Sequence, residues 1–262
     1  MFSLSISGGT AFPGCAGTGW KACATKAALA KPRPLVSNLA DMAKQTVLFG
    51  GTFNPIHHGH LIVARAVAEQ YGFDKVTLVP AYLPPHKREH GRFGAGRAVE
   101  ATPEDRLAMV RLAVEGEQLF EVSDVEIRRG GPSYTFDTLA HVHAAEPEAE
   151  LFWIIGEDML GELPNWYRSA DVVKMATIIT AARSTPTQGR AEVQQNLEVA
   201  FGSDMASKLM ANLAATPLIE ISATDIRRRR KEGKSVAFLT PCAAISYMDS
   251  RQLYSLAAIR ES

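Results

Sequence analysis

The chain has 262 residues, of which 46% are hydrophobic and 21% are charged, values that are ordinary for a globular protein with one main domain. Its 28 Lys and Arg residues balance its 28 Asp and Glu residues, which argues against a protein that coats nucleic acid or an anionic membrane. The longest apolar run, Leu151–Ile155, is much shorter than a spanning helix of about 18 residues. Three scattered cysteines exclude a disulfide framework and a four-ligand zinc site, so a reducing, cytoplasmic setting is expected.

The amino-terminal part of the chain differs in composition from the rest. Residues 1–40 contain no Asp or Glu and show no sustained helical or strand period. Serines and glycines interrupt what would be the apolar core of a secretory signal peptide, while a transit peptide stays open as an alternative. Met42 opens a segment that is typical of a natural start. We therefore expect residues 1–43 to be a disordered leader or the result of an over-long gene start, and residues 44–262 to form a single domain.

From Lys44 onward, short apolar runs alternate with helical patterns. Six runs predict strands, namely Thr46–Phe49, Val76–Val79, Phe120–Val122, Leu151–Ile155, Thr177–Thr180 and Leu218–Ile221. Helical periodicity occurs at residues 61–69, 106–114 and 135–142. Nearly continuous apolar strands separated by helices are typical of a parallel sheet that is covered on both faces. The predicted fold class is α/β, a Rossmann-like doubly wound parallel sheet, whose ligands bind at the carboxyl ends of the strands.

The loop after the first predicted strand combines glycines with histidines. Gly50 and Gly51 permit a sharp turn and a close approach of the backbone to a ligand. His57 and His60 are three residues apart at a helix start, so both point towards the space that the first unpaired N–H groups face. Gly59 carries no side chain that would crowd a ligand there. The loop predicts an anion site that suits phosphate, and the histidines leave a metal site open as an alternative.

A second candidate phosphate element lies in the carboxyl-terminal part of the chain. Ser222 and Thr224 can each cap the helix that follows, and capping alone would explain them. Arg227, one turn into that helix, can place a forked cation over the same spot. The basic run at Arg228–Lys231 points in several directions around a helix, so a solvated face is expected there.

Two further segments are informative about the function. Pro84 and Pro85 stiffen the chain before His86 and Lys87, whose side chains favour phosphate. The sequence Ser-Tyr-Thr-Phe-Asp-Thr-Leu at residues 133–139 opens a helix after a Gly-Gly-Pro turn.

The most apolar strand is also followed by residues with functional chemistry. Asp158 lies just after this strand, where it can cap a helix or hold ribose hydroxyls. Trp166, which precedes Tyr167, is large enough to stack on a flat aromatic ring, although an ordinary core tryptophan is the alternative.

The His-x-Gly-His loop resembles the signature of nucleotidylyltransferases, which move a nucleotidyl group from a triphosphate and release pyrophosphate. Taken together and in order, the segments above make residues 45–254 similar to the bacterial nicotinate-nucleotide adenylyltransferase family of NAD biosynthesis. The resemblance implies that ATP and nicotinate mononucleotide react to nicotinate adenine dinucleotide and pyrophosphate. It also implies Mg²⁺ that is held by substrate phosphates and water, without metal ligands from the protein.

The resemblance assigns roles to individual positions. The residues implied in ATP binding are Gly50, Gly51, Thr52, Phe53, His57, Gly59, His60, Asp158, Arg183, Ser222, Thr224 and Arg227. The residues implied in binding nicotinate mononucleotide are His86, Lys87, Thr135, Trp166 and Tyr167. His57, His60 and Arg227 are the implied catalytic residues.

Some features of the chain depart from this family or leave other functions open. The leader is one departure, and the long, glycine-rich stretch at residues 86–106 is another; residues 88–102 could form a lid that orders on binding. The alternatives are an adenylyltransferase with another acceptor, such as the amide nucleotide or phosphopantetheine, a non-catalytic nucleotide-binding module, and direct RNA binding. We expect no nucleic-acid or membrane partner.

Overall fold

The computed structural model describes residues 44–85, 101–183 and 189–255. The strands are β1 (Gln45–Gly51), β2 (Val76–Pro80), β3 (Phe120–Val122), β4 (Glu150–Gly156), β5 (Thr177–Arg183) and β6 (Leu213–Thr216). The helices are α1 (His58–Tyr71), α2 (Pro103–Ala113), α3 (Val125–Arg129), α4 (Thr135–Ala145), α5 (Glu157–Leu160), α6 (Ser169–Met175), α7 (Arg190–Phe201), α8 (Ser203–Ala211), α9 (Ala223–Lys231) and α10 (Cys242–Ser250). The expected leader, His86, Lys87 and most of the suggested lid lie outside the described residues.

The six strands form one parallel sheet in the order β3-β2-β1-β4-β5-β6. This is the strand order of a doubly wound dinucleotide-binding sheet, so the predicted Rossmann-like α/β fold is confirmed. The chain winds outward from β1 to β3 and then returns to β4 on the other side of β1. Folds of this kind bind ligands in the crevice at the carboxyl ends of the strands where the order reverses, which here means β1 and β4.

The sheet separates two apolar clusters. Phe49 and Ile154 point into the cluster that packs against α1, α2 and α10, whereas Leu48 and Trp153 point into the cluster on α4, α6, α7 and α8. Because successive strand residues face opposite sides, a strand that is buried on both faces must be apolar at almost every position. This explains the continuous apolar run in β4. No helix within the described ranges is long and apolar enough to cross a membrane.

The prediction of the sixth strand was wrong. Residues 218–221 form no strand, and β6 lies a few residues earlier, at Leu213–Thr216. Pro217 follows β6 directly and has no N–H group to continue the ladder. Leu218 is 54% exposed, whereas Ala214 in β6 is fully buried. The strand escaped sequence analysis because its alanines favour helix, while the apolar run after Pro217 looked more like a strand.

Candidate active site at the carboxyl ends of the strands

A cavity of about 770 Å³ opens at the carboxyl ends of β1, β2 and β4, where the fold is expected to bind ligands. The site residues predicted from the sequence that line this cavity are Gly50, Gly51, Thr52, His60, Thr135, Asp158, Trp166 and Tyr167. A second cavity of about 480 Å³ lies at the ends of β4, β5 and β6. Both cavities include Gly156 and Asp158 in their walls. The two cavities therefore adjoin, and together they are lined by residues from the region of β2 to that of β6.

The end of β1 passes very close to the sheet's central tryptophan. A Cβ atom on Gly50 would lie 2.4 Å from Cζ2 of Trp153, so only glycine fits at this point. Phe53 follows with a φ of 46°, a left-handed conformation that costs a non-glycine residue energy. Its buried ring packs edge to face on Phe49 at 5.9 Å and on His60 at 5.0 Å. The Phe53 side chain thus belongs to the core, and only its backbone is left for the predicted contact with ATP.

The two predicted catalytic histidines form a stacked pair. The His57 and His60 rings have centroids 3.6 Å apart and planes inclined by 24°. The backbone N–H of His57 donates to Nδ1 of His60 at 3.2 Å. That nitrogen must be unprotonated to accept this bond, so the neutral His60 ring carries its proton on Nε2. His60, which lines the cavity, therefore has an N–H donor.

Burial keeps both rings neutral. It lowers the pKa of His57 to about 4, with a smaller contribution from His58. Burial, together with the neighbouring His57, also lowers the pKa of His60 well below 6.5. Within the described parts of the chain, Nδ1 of His57 is buried without a hydrogen-bond partner. A buried polar atom of this kind is costly, and a ligand at the start of α1 could satisfy it.

Arg227 ties the second predicted phosphate element to the first. Its Nη1 donates to the carbonyl oxygen of Asn54 in the β1 loop at 2.7 Å, and its Nη2 donates to Oγ1 of Thr224 at 3.3 Å. Ser222 is the N-cap of α9, because its Oγ accepts from the N–H of Asp225 at 3.1 Å. The structure thus brings Ser222, Thr224 and Arg227 to the β1 loop, and the capping function considered for Ser222 is present.

The carboxyl-terminal segment also holds the β1 loop. Thr240 Oγ1 donates to the carbonyl of Ile56 at 2.7 Å, and Tyr254 donates its hydroxyl hydrogen to Oδ1 of Asn54. The N–H of His58 donates to the carbonyl of Leu239 at 3.0 Å. Together with the bond from Arg227, these bonds hold the loop between β1 and α1 in place at residues 54, 56 and 58.

Three of the five predicted acceptor residues, Thr135, Trp166 and Tyr167, line the main cavity. Thr135 is the first residue of α4, and Trp166 directly follows the short 3-10 turn Leu163–Asn165. Tyr167 is half exposed, and its ring lies 4.6 Å from that of Tyr134. Tyr134, Trp166 and Tyr167 thus give the cavity an aromatic wall near the start of α4.

The remaining predicted positions lie at the same edge of the sheet. Asp158 stands in the first turn of α5, so close to the strand end that a Cβ on Gly156 would lie 2.6 Å from its Oδ1. Arg183 is the last residue of β5, where it pairs with Thr216. Pro84 and Pro85, which precede His86, line the cavity.

Sequence analysis missed two buried charged residues of this region. Arg106 is 4% exposed, and its guanidinium donates to the carbonyls of Thr52 at 2.7 Å and Tyr82 at 3.0 Å. Glu126 is 3% exposed and lines the main cavity, where it accepts the Thr138 hydroxyl hydrogen at 2.6 Å. Burial raises the pKa of Glu126, against the opposing effect of its hydrogen bonds. Neither residue stands out in the sequence, because Glu104 and Asp105 directly precede Arg106, and Arg128 and Arg129 closely follow Glu126.

The described residues build no metal cage. Within these ranges, no three or more His, Cys, Asp or Glu side chains are grouped so that they could hold a metal ion. The considered histidine metal site therefore has no support in this part of the chain. Mg²⁺ that is carried by ATP phosphates and water would need no such cage.

Nucleotidyltransferases have this arrangement. The carboxyl edge of their parallel sheet carries a loop with glycines and histidines, and a second helix start that suits phosphate lies at the same edge. The family model described as cytidylyltransferase-like matches residues 48–229.

The curated relatives indicate which nucleotidyltransferases this chain resembles. Proteins named "Probable nicotinate-nucleotide adenylyltransferase" match from Desulfatibacillum aliphaticivorans, at 40% identity over 79% of this chain and 98% of the relative, and from Thermomicrobium roseum, at 38% over 79% and 90%. The solved Plasmodium falciparum nicotinic acid mononucleotide adenylyltransferase complexed with NaAD has a TM-score of 0.60 over 80% of this chain and 97% of that one; at 14% identity it supports the fold alone. The chain belongs to the nicotinate-nucleotide adenylyltransferase family.

Proposed function

We propose that this protein transfers the adenylyl group of ATP to nicotinate mononucleotide, which yields nicotinate adenine dinucleotide and pyrophosphate in NAD biosynthesis. The observation that carries the proposal is the crevice itself. At β1 it has a phosphate-type loop with stacked histidines, and on its far side it has an aromatic wall at a helix start. A family relationship over most of the chain supports the same reaction.

The ATP phosphates would lie over the start of α1. The first turn of this helix contains no acidic residue, so its unpaired N–H groups and positive dipole end favour an anion. Gly50, Gly51 and Thr52 let the backbone approach the phosphates, and the nitrogens of His57 and His60 supply further contacts beside Gly59. Ser222, Thr224 and Arg227 would hold the triphosphate from the side of α9.

The nucleoside part of ATP would extend towards β5. We assign Asp158, in the wall of both cavities, to the ribose hydroxyls. The strand end at Arg183 would lie near the adenine.

Nicotinate mononucleotide would occupy the part of the cavity near α4. Its ring would stack on Trp166, and its carboxylate would accept hydrogen bonds from N–H groups near Thr135 and Tyr167. The 5′-phosphate would meet His86 and Lys87. This arrangement directs the phosphate towards the β1 loop and the α-phosphorus of ATP.

The reaction needs no general base, because the nucleophile is an acceptor phosphate oxygen that is already ionised. This oxygen forms a bond to the α-phosphorus while the bond from that phosphorus to the β-phosphate oxygen breaks, and the electron pair leaves with pyrophosphate. In-line positioning can supply about 7–11 kcal/mol of the barrier reduction. His60 would donate a hydrogen bond from its Nε2–H to the phosphate oxygens on which negative charge develops. Arg227 would stabilise the same charge with its positive guanidinium group.

Substrate-bound Mg²⁺ would neutralise phosphate charge. The residues of the protein would bind and orient the two substrates and donate hydrogen bonds to them. The scarcity of cysteine supports a reducing, cytoplasmic setting for this chemistry.

The test is pyrophosphate release by the purified full chain with ATP and Mg²⁺. Nicotinate mononucleotide, its amide analogue and phosphopantetheine are compared as acceptors. We expect much faster release with the first. Equal rates with both mononucleotides would retain the enzyme class but refute the acid preference, and no release with any acceptor from folded, ATP-binding protein would refute the proposal.

A further inference from the structure

A buried arginine joins two of the loops that form the main cavity. The backbone ladder between β1 and β2 extends to the N–H of Ala81, which donates to the carbonyl of Gly51 at 2.9 Å. One residue further along each chain, the carbonyl oxygens of Thr52 and Tyr82 both accept from Arg106, at 2.7 and 3.0 Å. Two carbonyls cannot bond to each other, but the fork of donors on a guanidinium can bind both at once. Arg106 therefore continues the connection between the two strands into the loops that follow them.

The helix that carries this guanidinium is itself held at its start. Arg106 lies near the start of α2, where the N–H of Asp105 donates to Oγ1 of Thr102 and the N–H of Thr102 donates to Oδ2 of Asp105, both at 3.1 Å. Tyr247 donates its hydroxyl hydrogen to the other oxygen of Asp105 at 2.9 Å. At 4% exposure, the Arg106 side chain has little water to replace its two carbonyl partners, so losing either bond is costly.

The β2 loop is bonded in turn to the residues before α4. The N–H of Tyr82 donates to Oγ of Ser133 at 2.8 Å, and the N–H of Ser133 donates to the carbonyl of Leu83 at 2.9 Å. Ser133 and the first residue of α4, Thr135, both line the main cavity. Hydrogen bonds thus run from the β1 loop through Arg106 and the β2 loop to the start of α4.

We propose that Arg106 is a positioning residue that fixes the spacing between the two substrates. This inference rests on the proposed function, in which the ATP phosphates lie against the β1 loop at Thr52 and the carboxylate of nicotinate mononucleotide lies near Thr135. Arg106 is not among the described residues that line the cavity, so it acts through the loops to which it donates. In-line transfer needs the acceptor oxygen close to the α-phosphorus, and a fixed spacing between the two sites provides this.

Each substrate site keeps other supports when Arg106 is changed. The β1 loop is also held by Arg227, at the carbonyl of Asn54, and by Thr240, at that of Ile56. The residues before α4 keep their bonds to the β2 loop. Both substrates should therefore still bind without the arginine, but at a spacing that is less well defined. The transfer step should suffer more than the binding of either substrate.

The experiment compares Arg106→Lys with wild type. Lysine keeps the charge, but its ammonium group lacks the rigid fork of donors that binds two carbonyls. Formation of nicotinate adenine dinucleotide is measured in a single turnover at saturating substrates, which separates the transfer step from binding and product release. We expect this rate to fall about tenfold or more, because small misplacements are costly in catalysis. The Kd of ATP and that of nicotinate mononucleotide, each measured alone by calorimetry, should stay within about threefold of wild type.

Arg111→Lys is the matched control on the same helix. The Arg111 side chain is 55% exposed, and its Nη2 donates to Oδ2 of Asp124 at 3.1 Å. Exposed ion pairs of this kind contribute little, so the single-turnover rate should stay within about twofold of wild type.

Ser133→Ala supplies a second test, which leaves Arg106 in place and removes the hydroxyl oxygen that accepts from the N–H of Tyr82. This variant carries the test alone if Arg106→Lys does not fold, and the same selective loss of the single-turnover rate is expected. An unchanged rate in folded protein, or weaker binding of a substrate that accounts for the whole loss, would overturn the inference. A wild type that forms no dinucleotide would instead refute the proposed function on which it rests.

Discussion

The backbone N–H of His57 donates to Nδ1 of His60 while the two imidazole rings stack 3.6 Å apart. Both rings are uncharged, because their removal from bulk water lowers both pKa values. The loop therefore presents N–H groups and neutral nitrogens to a ligand, with the positive charge supplied from α9 by Arg227. A bound triphosphate would change this balance, since neighbouring negative charge raises the pKa of an imidazole.

The first prediction concerns protons that are taken up with ATP. Because the pKa of His57 is about 4 in the free protein, the ring is neutral at about pH 5.5 and should become partly protonated beside phosphate. Calorimetric titration with ATP in buffers of different ionisation enthalpy should show this uptake. In His57→Asn the uptake should be smaller than in wild type, and equal uptake in the two proteins would contradict the expected role of His57.

The second prediction concerns stability at low pH. The unfolded chain protonates His57 near 6.5, whereas the folded chain does so only near 4, so the unfolded state binds more protons between these values. The contribution of His57 to the free energy of unfolding is therefore fully present above pH 6.5. It falls by about 3 kcal/mol as the pH drops towards 4. Urea unfolding across this range measures the free energy of unfolding.

His57→Asn should make that pH dependence weaker, and the contribution of the buried His60 should remain. Replacement of the exposed His141 by Asn, as a control, should leave it as in wild type. If both variants lost stability with the same slope as the natural protein, another group would be responsible.

The local sequence was sufficient to predict the loop after β1 and the strands β1 to β5. Gly50, Gly51, His57 and His60 occur within a few residues of one another, and a buried strand such as β4 is apolar throughout. Features of this kind can be predicted because the residues that produce them are neighbours in the sequence. The helical patterns of α1, α2 and α4 were equally local and are present in the structure.

The parts that sequence analysis missed depend on distant contacts. Arg106 acquires its place by donating to Thr52 and Tyr82, which no local pattern around Arg106 reveals. Glu126 is likewise defined by its bond to Thr138, a residue of another helix. The alanines of β6 become a strand because they pair with β5, a tertiary effect that overrides their helix propensity.

The third prediction separates Arg227 from the other cations of α9. Arg227→Ala removes the bond from α9 to the carbonyl of Asn54 and the proposed contact with the triphosphate. The maximal rate should fall by about a hundredfold or more, in line with the loss of one charge-stabilising donor, and KM for ATP should rise.

Arg229→Ala is the control on the same helix. Its guanidinium donates to the carbonyl of Ser235 at 2.9 Å in an exposed position, so the steady-state constants should change by less than about threefold. Similar losses of rate in the two variants would mean that the charge of the whole helix matters and that Arg227 has no special place.

The fourth prediction tests the close approach of β1 to Trp153. In Gly50→Ala the new Cβ would lie 2.4 and 2.8 Å from two ring carbons of Trp153, which is buried in β4 and cannot turn aside. The strand end must shift, so we expect a loss of about 1–3 kcal/mol of stability, as in other overpacked cores, together with a higher KM for ATP. Gly161→Ala is the control, because its Cβ would meet only Val193, at 3.7 Å, and it should cost less than about 0.5 kcal/mol. Chemical denaturation and ATP titration of both variants decide the matter. If Gly50→Ala behaved like Gly161→Ala in both measurements, the glycine at the end of β1 would not be needed to pass Trp153, and the backbone there would have room that the structure denies it.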